Sequence, residues 1–268
     1  MRRPDAAARA ADEDRAEEAG AGAAGADESG QPGVAPVSLV QFPPVWGRNA
    51  SPFGLKLESW LRLAEIPFEV IESANFRRAP KGKLPYIVDG GRAIGDSTLI
   101  IEHLKATRGI DPDATLDRRE RAESVALQRL FEDHLYYVLA YSRWIDEEGW
   151  EPTATAFLGR LPRAMRRLAR TVVRERVRKM LHFQGLGRHS RAEIYAFARA
   201  DLEAAAEHLG DKPFFAGDRL TTIDAVAFGL LANVYLVPLD TELRRIALEY
   251  PNLLAWCDSM EQGLQAGA

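Results

Sequence analysis

The chain changes its hydrophobic pattern near residue 110. Before this point, short apolar and β-branched runs bounded by Pro and Gly predict strands, interrupted by two helical patterns. From Asp117 almost to the end, apolar residues recur at helical spacing only. We therefore predict an α/β domain over residues 37–109 and an all-helical domain over residues 116–262.

The predicted α/β domain contains four strands and two helices. The strands are expected at residues 37–42, 66–71, 84–88 and 92–94. Ser51 and Pro52 suit the N-cap and the first turn of one helix. Asp96 and Ser97 begin a second helix that runs to about Thr107.

The helical half has three sites where helices are expected to begin. Each is a pair with capping-box spacing, and the pairs are Asp117 with Glu120, Ser190 with Glu193, and Thr221 with Asp224. The longest apolar run, residues 225–237, contains Asn233 and is shorter than the roughly 20 residues that cross a bilayer. It predicts a buried helix and no transmembrane segment.

Composition sets the first 36 residues apart. They contain twelve Ala, five Gly and eight acidic residues, with Val34 as the one larger aliphatic residue, so we expect a disordered acidic tail. These 36 residues also contain four Arg, so they carry the whole net charge of −4. The rest of the chain is formally neutral, which gives no reason to expect nucleic acid as a partner. The N-terminus has no apolar core typical of a secretory signal, so we expect a cytoplasmic protein.

The sequence has one cysteine, Cys257. A single thiol excludes an internal disulfide, a C-x-x-C redox pair and a multi-thiolate zinc site. The five His have no paired metal spacing, so we expect no metal. Cys257 itself is expected to be a small buried hydrophobe.

Four local features lie where one known family has its own motifs. They are Ser51 to Gly54 between strand and helix, Leu84-Pro85 at the third strand, Asp96-Ser97 at the next helix, and Thr221 to Asp224 in the helical half. With this order of elements they resemble the glutathione S-transferase superfamily over about residues 37–262. The resemblance implies a thioredoxin-like N-terminal domain, an all-helical C-terminal domain and glutathione as co-substrate.

Longer strings resemble the failed-axon-connections and metaxin-like branch of that superfamily. They are Asn49 to Phe53, Ala79 to Ile87, Glu132 to Tyr136, Tyr141 to Trp144, and Gly185 to Ser190. The branch usually has Cys at the fourth position of its Ser-Pro-Phe-Cys motif, and this chain has Gly54 there. Any thiol role assigned to that position is absent from this chain.

The resemblance implies that Ser51 is the catalytic residue. Free glutathione has a thiol pKa of about 8 to 9, and its thiolate is the nucleophile. A hydroxyl at a helix N-terminus can donate a hydrogen bond to that thiolate, supported by the helix dipole. Ser51 can equally be a simple N-cap, and both interpretations remain open.

The remaining glutathione contacts are implied in the same way. Pro85 would be a cis-proline that exposes the backbone of Leu84, although an X-Pro bond is usually trans. Asp96 would pair with the α-ammonium group and Ser97 would hold the carboxylate of the γ-glutamyl end. Lys83 would meet the glycyl carboxylate. For Asp96 and Ser97 the alternative is a plain helix cap, and for Lys83 an isolated surface lysine.

Two helical segments carry further candidates. Tyr137, Tyr141 and Trp144 share one helix face and would line the pocket for the electrophile, although such a stripe is more often core. Tyr136 and Arg143 on the same helix would form a polar patch beside the thiol. Residues 160–179 hold eight Arg and one Lys against Glu175, a pattern that would suit anionic lipid or nucleic acid. Leu161, Met165, Leu168, Val172 and Met180 keep a rough helical stripe, so we favour a core helix with a solvated basic face.

Three functions follow from these residues. The first is a glutathione transferase that acts on a small electrophile. The second is a non-catalytic, metaxin-like adaptor, which the missing branch Cys favours. The third, a glutaredoxin-like reductase, needs sulfur at Ser51 or Gly54 and is nearly excluded. Homodimers are common in the superfamily, but no sequence feature here identifies an interface.

Overall fold

The computed structural model describes residues 35–266 of the chain. The predicted acidic tail therefore lies outside the described residues, except for its last two positions. The described part has a four-stranded sheet with two helices, followed by a helical domain. This confirms the predicted fold class.

The sheet orders its strands β2-β1-β3-β4. The strands are β1 Val37–Gln41, β2 Phe68–Glu72, β3 Tyr86–Asp89 and β4 Arg92–Gly95. Strands β1 and β2 pair in parallel, and β3 pairs antiparallel with β1 and β4. Both β2 and β3 begin two residues later than predicted, immediately after a proline, because proline has no N–H to donate to the ladder.

Helices α1, Pro52–Leu63, and α2, Ser97–Arg108, pack on the sheet. Helix α1 is the crossover that a parallel β1–β2 pair requires. Its residues Leu57, Trp60 and Leu61 are completely buried against the strands and α2. The Trp60 Nε1–H donates to Thr222 Oγ1 at 3.1 Å, so the sheet domain is also bonded to the helical domain.

The helical domain contains eight α-helices in the described part of the chain. They are α3 Arg118–Arg129, α4 Tyr136–Trp144, α5 Glu147–Leu158, α6 Arg163–Gln184, α7 Arg191–Leu209, α8 Thr222–Tyr235, α9 Glu242–Ala247 and α10 Pro251–Ala266. A π-helical turn, Leu130–Leu135, joins α3 to α4. The capping boxes predicted at Asp117, Ser190 and Thr221 are confirmed.

Helix α8 is the buried helix predicted from the long apolar run, and every residue from Ile223 to Tyr235 is buried. Gly229 lies where α8 meets the start of α1. A Cβ at Gly229 would lie 2.5 Å from the carbonyl oxygen of Pro52 and 2.8 Å from the Lys56 nitrogen. The absence of a side chain here lets the start of α1 lie directly on the centre of the helical domain.

Two further predictions concern the single cysteine and transmembrane helices. Cys257 is completely buried, and burial raises the pKa of its thiol. Within residues 35–266, no helix combines the length and the apolar character needed to cross a bilayer.

The prediction for the Arg-rich segment was partly wrong. Helix α6 forms, but Met165, Leu168 and Val172 of its predicted core stripe are exposed. Met180 of that stripe does contact the core, together with Val177 and Leu181. The sequence pattern does not distinguish the two sides because both carry apolar residues.

Candidate functional site

Strand register brings the predicted glutathione contacts to one end of the sheet. Val40 pairs with Tyr86, and Tyr86 pairs with Gly95. The next positions along the three strands, Gln41, Pro85 and Asp96, therefore lie together at that end. The Leu84–Pro85 peptide bond is cis, as the resemblance implies.

Ser51 is the N-cap of α1. Its Oγ accepts a hydrogen bond from the backbone N–H of Gly54 at 3.3 Å, and Pro52 occupies the first turn. Because the oxygen acts as an acceptor in this cap, the hydroxyl hydrogen is left for another partner. Ser51 is half-buried, so a ligand can reach it. The predicted cap is confirmed, and its geometry also permits donation to a thiolate.

A chain of buried side-chain amides holds Ser51 in place. The Ser51 N–H donates to Asn49 Oδ1 at 3.0 Å, and Asn49 Nδ2 donates to Gln41 Oε1 at 2.6 Å. Gln41 Nε2 donates in turn to Glu58 Oε2 at 3.0 Å. The loop before α1 is thereby tied to the end of β1 and to the second turn of α1.

Gly54 is explained by the same amide chain. A Cβ at this position would lie 2.4 Å from Asn49 Nδ2 and 2.8 Å from Asn49 Oδ1. The Asn49 side chain thus fills the space that a cysteine side chain would need. The space beside Gly54 is therefore occupied by the amide that positions Ser51.

A buried arginine lies beneath the same loop. Arg143 of α4 is only 4% exposed, and its Nη1 donates to the carbonyl oxygen of Ala50 at 2.8 Å. Its Nη2 donates to the carbonyl oxygen and Oδ1 of Asn233 at 2.6 and 2.8 Å. Burial lowers the pKa of the guanidinium to about 9, although the nearby Tyr136 phenol opposes this. The Arg143 cation is therefore bonded to Ala50, the residue before Ser51, and none of these three hydrogen-bond acceptors is a carboxylate.

Asp96 and Ser97 form the beginning of α2. Asp96 has a φ of 85°, and its Oδ1 accepts from the N–H groups of Thr98 and Leu99 at 3.1 and 3.2 Å. This left-handed backbone turns β4 sharply into the helix. Ser97 is buried, whereas Lys83 is exposed on the segment before Pro85.

A buried ion pair joins this corner to the helical domain. Lys56 of α1 lies 2.6 Å from Glu132 Oε1, and its Nζ donates to Thr98 Oγ1 at 3.1 Å. Gln128 Nε2 donates to Glu132 Oε2 and to Thr98 Oγ1. Burial lowers the pKa of Lys56, and the attraction of Glu132 offsets part of this effect. Thr98, the residue after Ser97, thereby accepts hydrogen bonds from side chains of two helices, α1 and α3.

The aromatic candidates divide between two regions. The Tyr136 ring lies 4.9 Å from the Phe53 ring and 5.1 Å from the Tyr137 ring, so these residues border the start of α1. Tyr141 packs on Tyr195 of α7. Trp144 packs against Phe157 and Trp150 of α5. Of the three predicted pocket residues, Tyr137 belongs to the group beside α1, and the other two contact other helices.

A separate cleft of about 590 Å³ lies between α2, α3 and the start of α8. Its lining includes Lys56, Thr98, Lys105 and Gln128 but not Ser51. The cleft therefore adjoins the predicted site on the side where Lys56 pairs with Glu132. Within the described residues, no group of three or more His, Cys, Asp or Glu could hold a metal ion.

Several residues of this site were not predicted. Sequence spacing does not reveal their hydrogen-bond and ion-pair partners. These residues are Asn49, Gln41, Lys56 and Glu132. Asn233 did give a signal, since it is a polar residue inside the longest apolar run.

Two family models match the chain. The glutathione S-transferase N-terminal domain matches residues 52–149, and the glutathione S-transferase C-terminal domain matches residues 198–260. Among solved structures, glutathione S-transferase III in its apo form superposes with a TM-score of 0.55 at 18% identity. That superposition covers 87% of this chain and 96% of the other, and it supports the fold alone.

Three curated proteins are similar in sequence. The isoprene-epoxide glutathione S-transferase of Rhodococcus sp. (strain AD45) is 36% identical over 74% of this chain and 86% of its own length. Failed axon connections of Drosophila melanogaster is 33% identical over 80% of this chain, which spans about half (54%) of that protein. Metaxin-2 of Mus musculus is 26% identical over 78% of this chain and 80% of its own length. The chain therefore belongs to the glutathione S-transferase superfamily, in its metaxin-like branch.

Proposed function

We propose that this protein is a glutathione transferase in which Ser51 stabilises the glutathione thiolate for attack on a small epoxide. The observation that carries the proposal is the position of Ser51. Its hydroxyl hydrogen is unused in the N-cap, and Asn49 ties it to Gln41, at the end of the sheet where Pro85 and Asp96 also lie. The 36% identity to an isoprene-epoxide glutathione S-transferase supports the choice of electrophile.

Glutathione would bind in an extended form across the end of the sheet. The backbone of Leu84 would pair with the cysteinyl residue of the peptide, and Asp96 Oδ2 would accept from its α-ammonium group. Ser97 would donate to the γ-glutamyl carboxylate at the N-terminus of α2. The exposed ammonium group of Lys83 would meet the glycyl carboxylate.

The thiol would then lie at the N-terminus of α1. The Ser51 hydroxyl and the positive end of the helix dipole both favour the thiolate over the thiol. The Arg143 cation beneath Ala50 adds to the same field. The lowered thiol pKa increases the fraction of thiolate at neutral pH.

In the reaction, the thiol first loses its proton to solvent. The thiolate sulfur then forms a bond to an epoxide carbon while the carbon–oxygen bond of the ring breaks. The resulting alkoxide takes a proton from water, which gives a hydroxyalkyl thioether of glutathione. The protein contributes the thiolate and the alignment of the two reactants.

The test is a titration of the bound glutathione thiol, followed by ultraviolet absorbance of the thiolate. We expect a thiol pKa below that of free glutathione in the wild-type chain, and a higher thiol pKa in Ser51→Ala. Ser190→Ala is the matched control, because Ser190 also caps a helix with a 3.3 Å bond from a backbone N–H. It should lose similar stability and leave the thiol pKa unchanged. An unchanged thiol pKa in Ser51→Ala, without conjugation of small epoxides, would overturn the proposal.

The second candidate is a non-catalytic adaptor. Similarity to failed axon connections and metaxin-2 over most of the chain favours it, together with Gly54 at the branch cysteine position. An adaptor needs no saturable glutathione site. A chain that binds no glutathione but retains its fold would support this candidate.

A further inference from the structure

One side of the chain from the π-helical turn into α4 runs along the start of α1. Three contacts join the two segments, and they follow each other in opposite chain directions. They are the ion pair of Glu132 with Lys56, the ring contact of Tyr136 with Phe53, and the hydrogen bond from Arg143 to the carbonyl oxygen of Ala50. Ser51 follows Ala50 and precedes Phe53, so it lies at a level between Tyr136 and Arg143.

The side of α4 that faces this level carries little bulk between its two polar residues. Tyr136 and Arg143 are seven residues apart, which places them about 20° apart around the helix and about 10 Å apart along it. Ala140 lies between them and contributes only a methyl group. Two polar side chains of the helical domain therefore border the N-terminus of α1.

The phenol of Tyr136 has no partner in the fold. Its hydroxyl forms no hydrogen bond with any residue in the range 35–266. The hydroxyl oxygen is not sealed in the interior, unlike the unpartnered Nε of Arg143. Burial of the ring raises the pKa of the Tyr136 phenol, and the Tyr137 phenol adds to this effect while the Arg143 cation opposes it. Tyr136 therefore keeps its proton at neutral pH and can donate it.

Arg143 supplies a buried positive charge beside this phenol. Its three hydrogen-bond acceptors are all amide oxygens, and its Nε–H has no partner among the described residues. The Trp46 ring lies over the guanidinium, with Cζ 5.4 Å from the ring centroid. Because water is largely excluded here, the field of the cation is weakly screened. Arg143 therefore favours the formation of a negative charge on a neighbouring atom.

Opening of an epoxide forms such a charge on oxygen. In an in-line displacement, the sulfur approaches carbon from one side and the oxygen departs from the opposite side. Ser51 of the sheet domain would act on the sulfur, so a donor to the oxygen has to come from across the electrophile. Tyr136 meets this requirement because it belongs to the helical domain and borders the same helix N-terminus.

We propose that Tyr136 is a second catalytic residue, which donates its phenol proton to the epoxide oxygen as the ring opens. The inference rests on the proposed transferase and specifies its last step. The sulfur–carbon bond forms, the electron pair of the carbon–oxygen bond moves to oxygen, and the phenol proton moves to the same oxygen. The transfer is favourable because an alkoxide is a stronger base than a phenolate, whose conjugate acid has a pKa of about 10. Arg143 stabilises the phenolate until it takes a proton from water.

The test compares two electrophiles in the wild-type chain and in Tyr136→Phe. Propylene oxide needs a proton on its departing oxygen, whereas iodomethane releases iodide, which needs none. We expect Tyr136→Phe to lower kcat with propylene oxide by about two orders of magnitude. It should leave kcat with iodomethane, the Kd for glutathione and the thiol pKa of bound glutathione at their wild-type values.

The substitution should not disturb the fold, because the Tyr136 hydroxyl has no hydrogen bond to lose within residues 35–266. An unchanged Tm checks this expectation. Tyr250→Phe is the matched control, since Tyr250 is also half-buried and its hydroxyl donates to the carbonyl oxygen of Arg199 on α7. The control should react with both electrophiles as the wild-type chain does.

Three results would overturn the proposal. The first is a wild-type kcat with propylene oxide in Tyr136→Phe. The second is an equal loss of kcat with both electrophiles, which would assign the phenol to the thiolate or to packing. The third is a wild-type chain that conjugates neither electrophile. That result would refute the transferase itself, and it is distinguishable from the first two because it needs no substitution.

Discussion

Replacing Arg143 with Met should destabilise the protein and loosen the loop that carries Ser51. The guanidinium donates three hydrogen bonds, to Ala50 and to both oxygens of Asn233. Hydrogen bonds of charged groups contribute about 1.5–3 kcal/mol each, or roughly 5–9 kcal/mol together. Burial of the charge opposes them by about 5 kcal/mol, because it lowers the pKa from 12.5 to about 9.

About 0–4 kcal/mol of net stabilisation remains, and Arg143→Met would leave three buried oxygens without this donor, so the loss should lie in the upper half of that range. We therefore expect the free energy of unfolding to fall by about 2–4 kcal/mol. For a chain of this size, that corresponds to a decrease in Tm of roughly 4–16 °C. Glutathione binding should weaken as well, because Ala50 precedes Ser51 directly.

The assay is urea unfolding together with glutathione titration of Arg143→Met. Arg121→Met is the matched control, since Arg121 also donates three hydrogen bonds to backbone carbonyl oxygens but is exposed. Water can replace its bonds, so we expect a loss below about 1 kcal/mol. If Arg143→Met proves as stable as Arg121→Met and binds glutathione equally well, Arg143 does not position the loop.

Three further perturbations test other parts of the structure. Gly54→Cys should cost about 1–3 kcal/mol in urea unfolding because its side chain meets Asn49, and it should cost much less when introduced into the Asn49→Gly variant, which already lacks that side chain. An equal cost in both backgrounds would contradict the packing argument. Lys56→Met should cost about 3–5 kcal/mol because it leaves Glu132 buried without its partner, whereas Lys56→Met with Glu132→Leu should be closer to the wild-type stability in a double-mutant cycle. Burial raises the pKa of Asp224 from 3.8 to about 6, so the folded state binds this proton more tightly than the unfolded state does. The stability that Asp224 contributes is therefore present below about pH 4 and is lost as the pH rises from about 4 to 6. Asp224→Asn should remove that component of the pH dependence of unfolding, and an identical pH profile in the variant would show that Asp224 does not titrate there.

The fold was predictable because its signals are local. Apolar runs bounded by Pro identified the strands, and three pairs of capping residues identified the starts of α3, α7 and α8. The limits of β2 and β3 were less accurate, since Pro67 and Pro85 lie inside the predicted runs and delay the ladder. For α6, periodicity alone did not indicate which apolar row contacts the core.

The site was predictable only in part. Ser51, Pro85 and Asp96 were found because a known family has recognisable motifs at those positions. Arg143 was recognised only as a polar candidate beside the thiol. Its bonds to Ala50 and Asn233 were not found, because these partners lie about 90 residues away along the chain. Such contacts depend on the packing of α1 against α8, which no local pattern encodes.

The most direct measurement is a calorimetric titration of glutathione into the wild-type chain and into a double variant, Ser51→Ala with Ser97→Ala. Ser190→Ala serves as the control for the loss of a helix cap. We predict saturable binding in the wild-type chain and in the control, and none in the double variant. Absence of heat and of any thermal shift in the wild-type chain at millimolar glutathione would contradict the proposed transferase site.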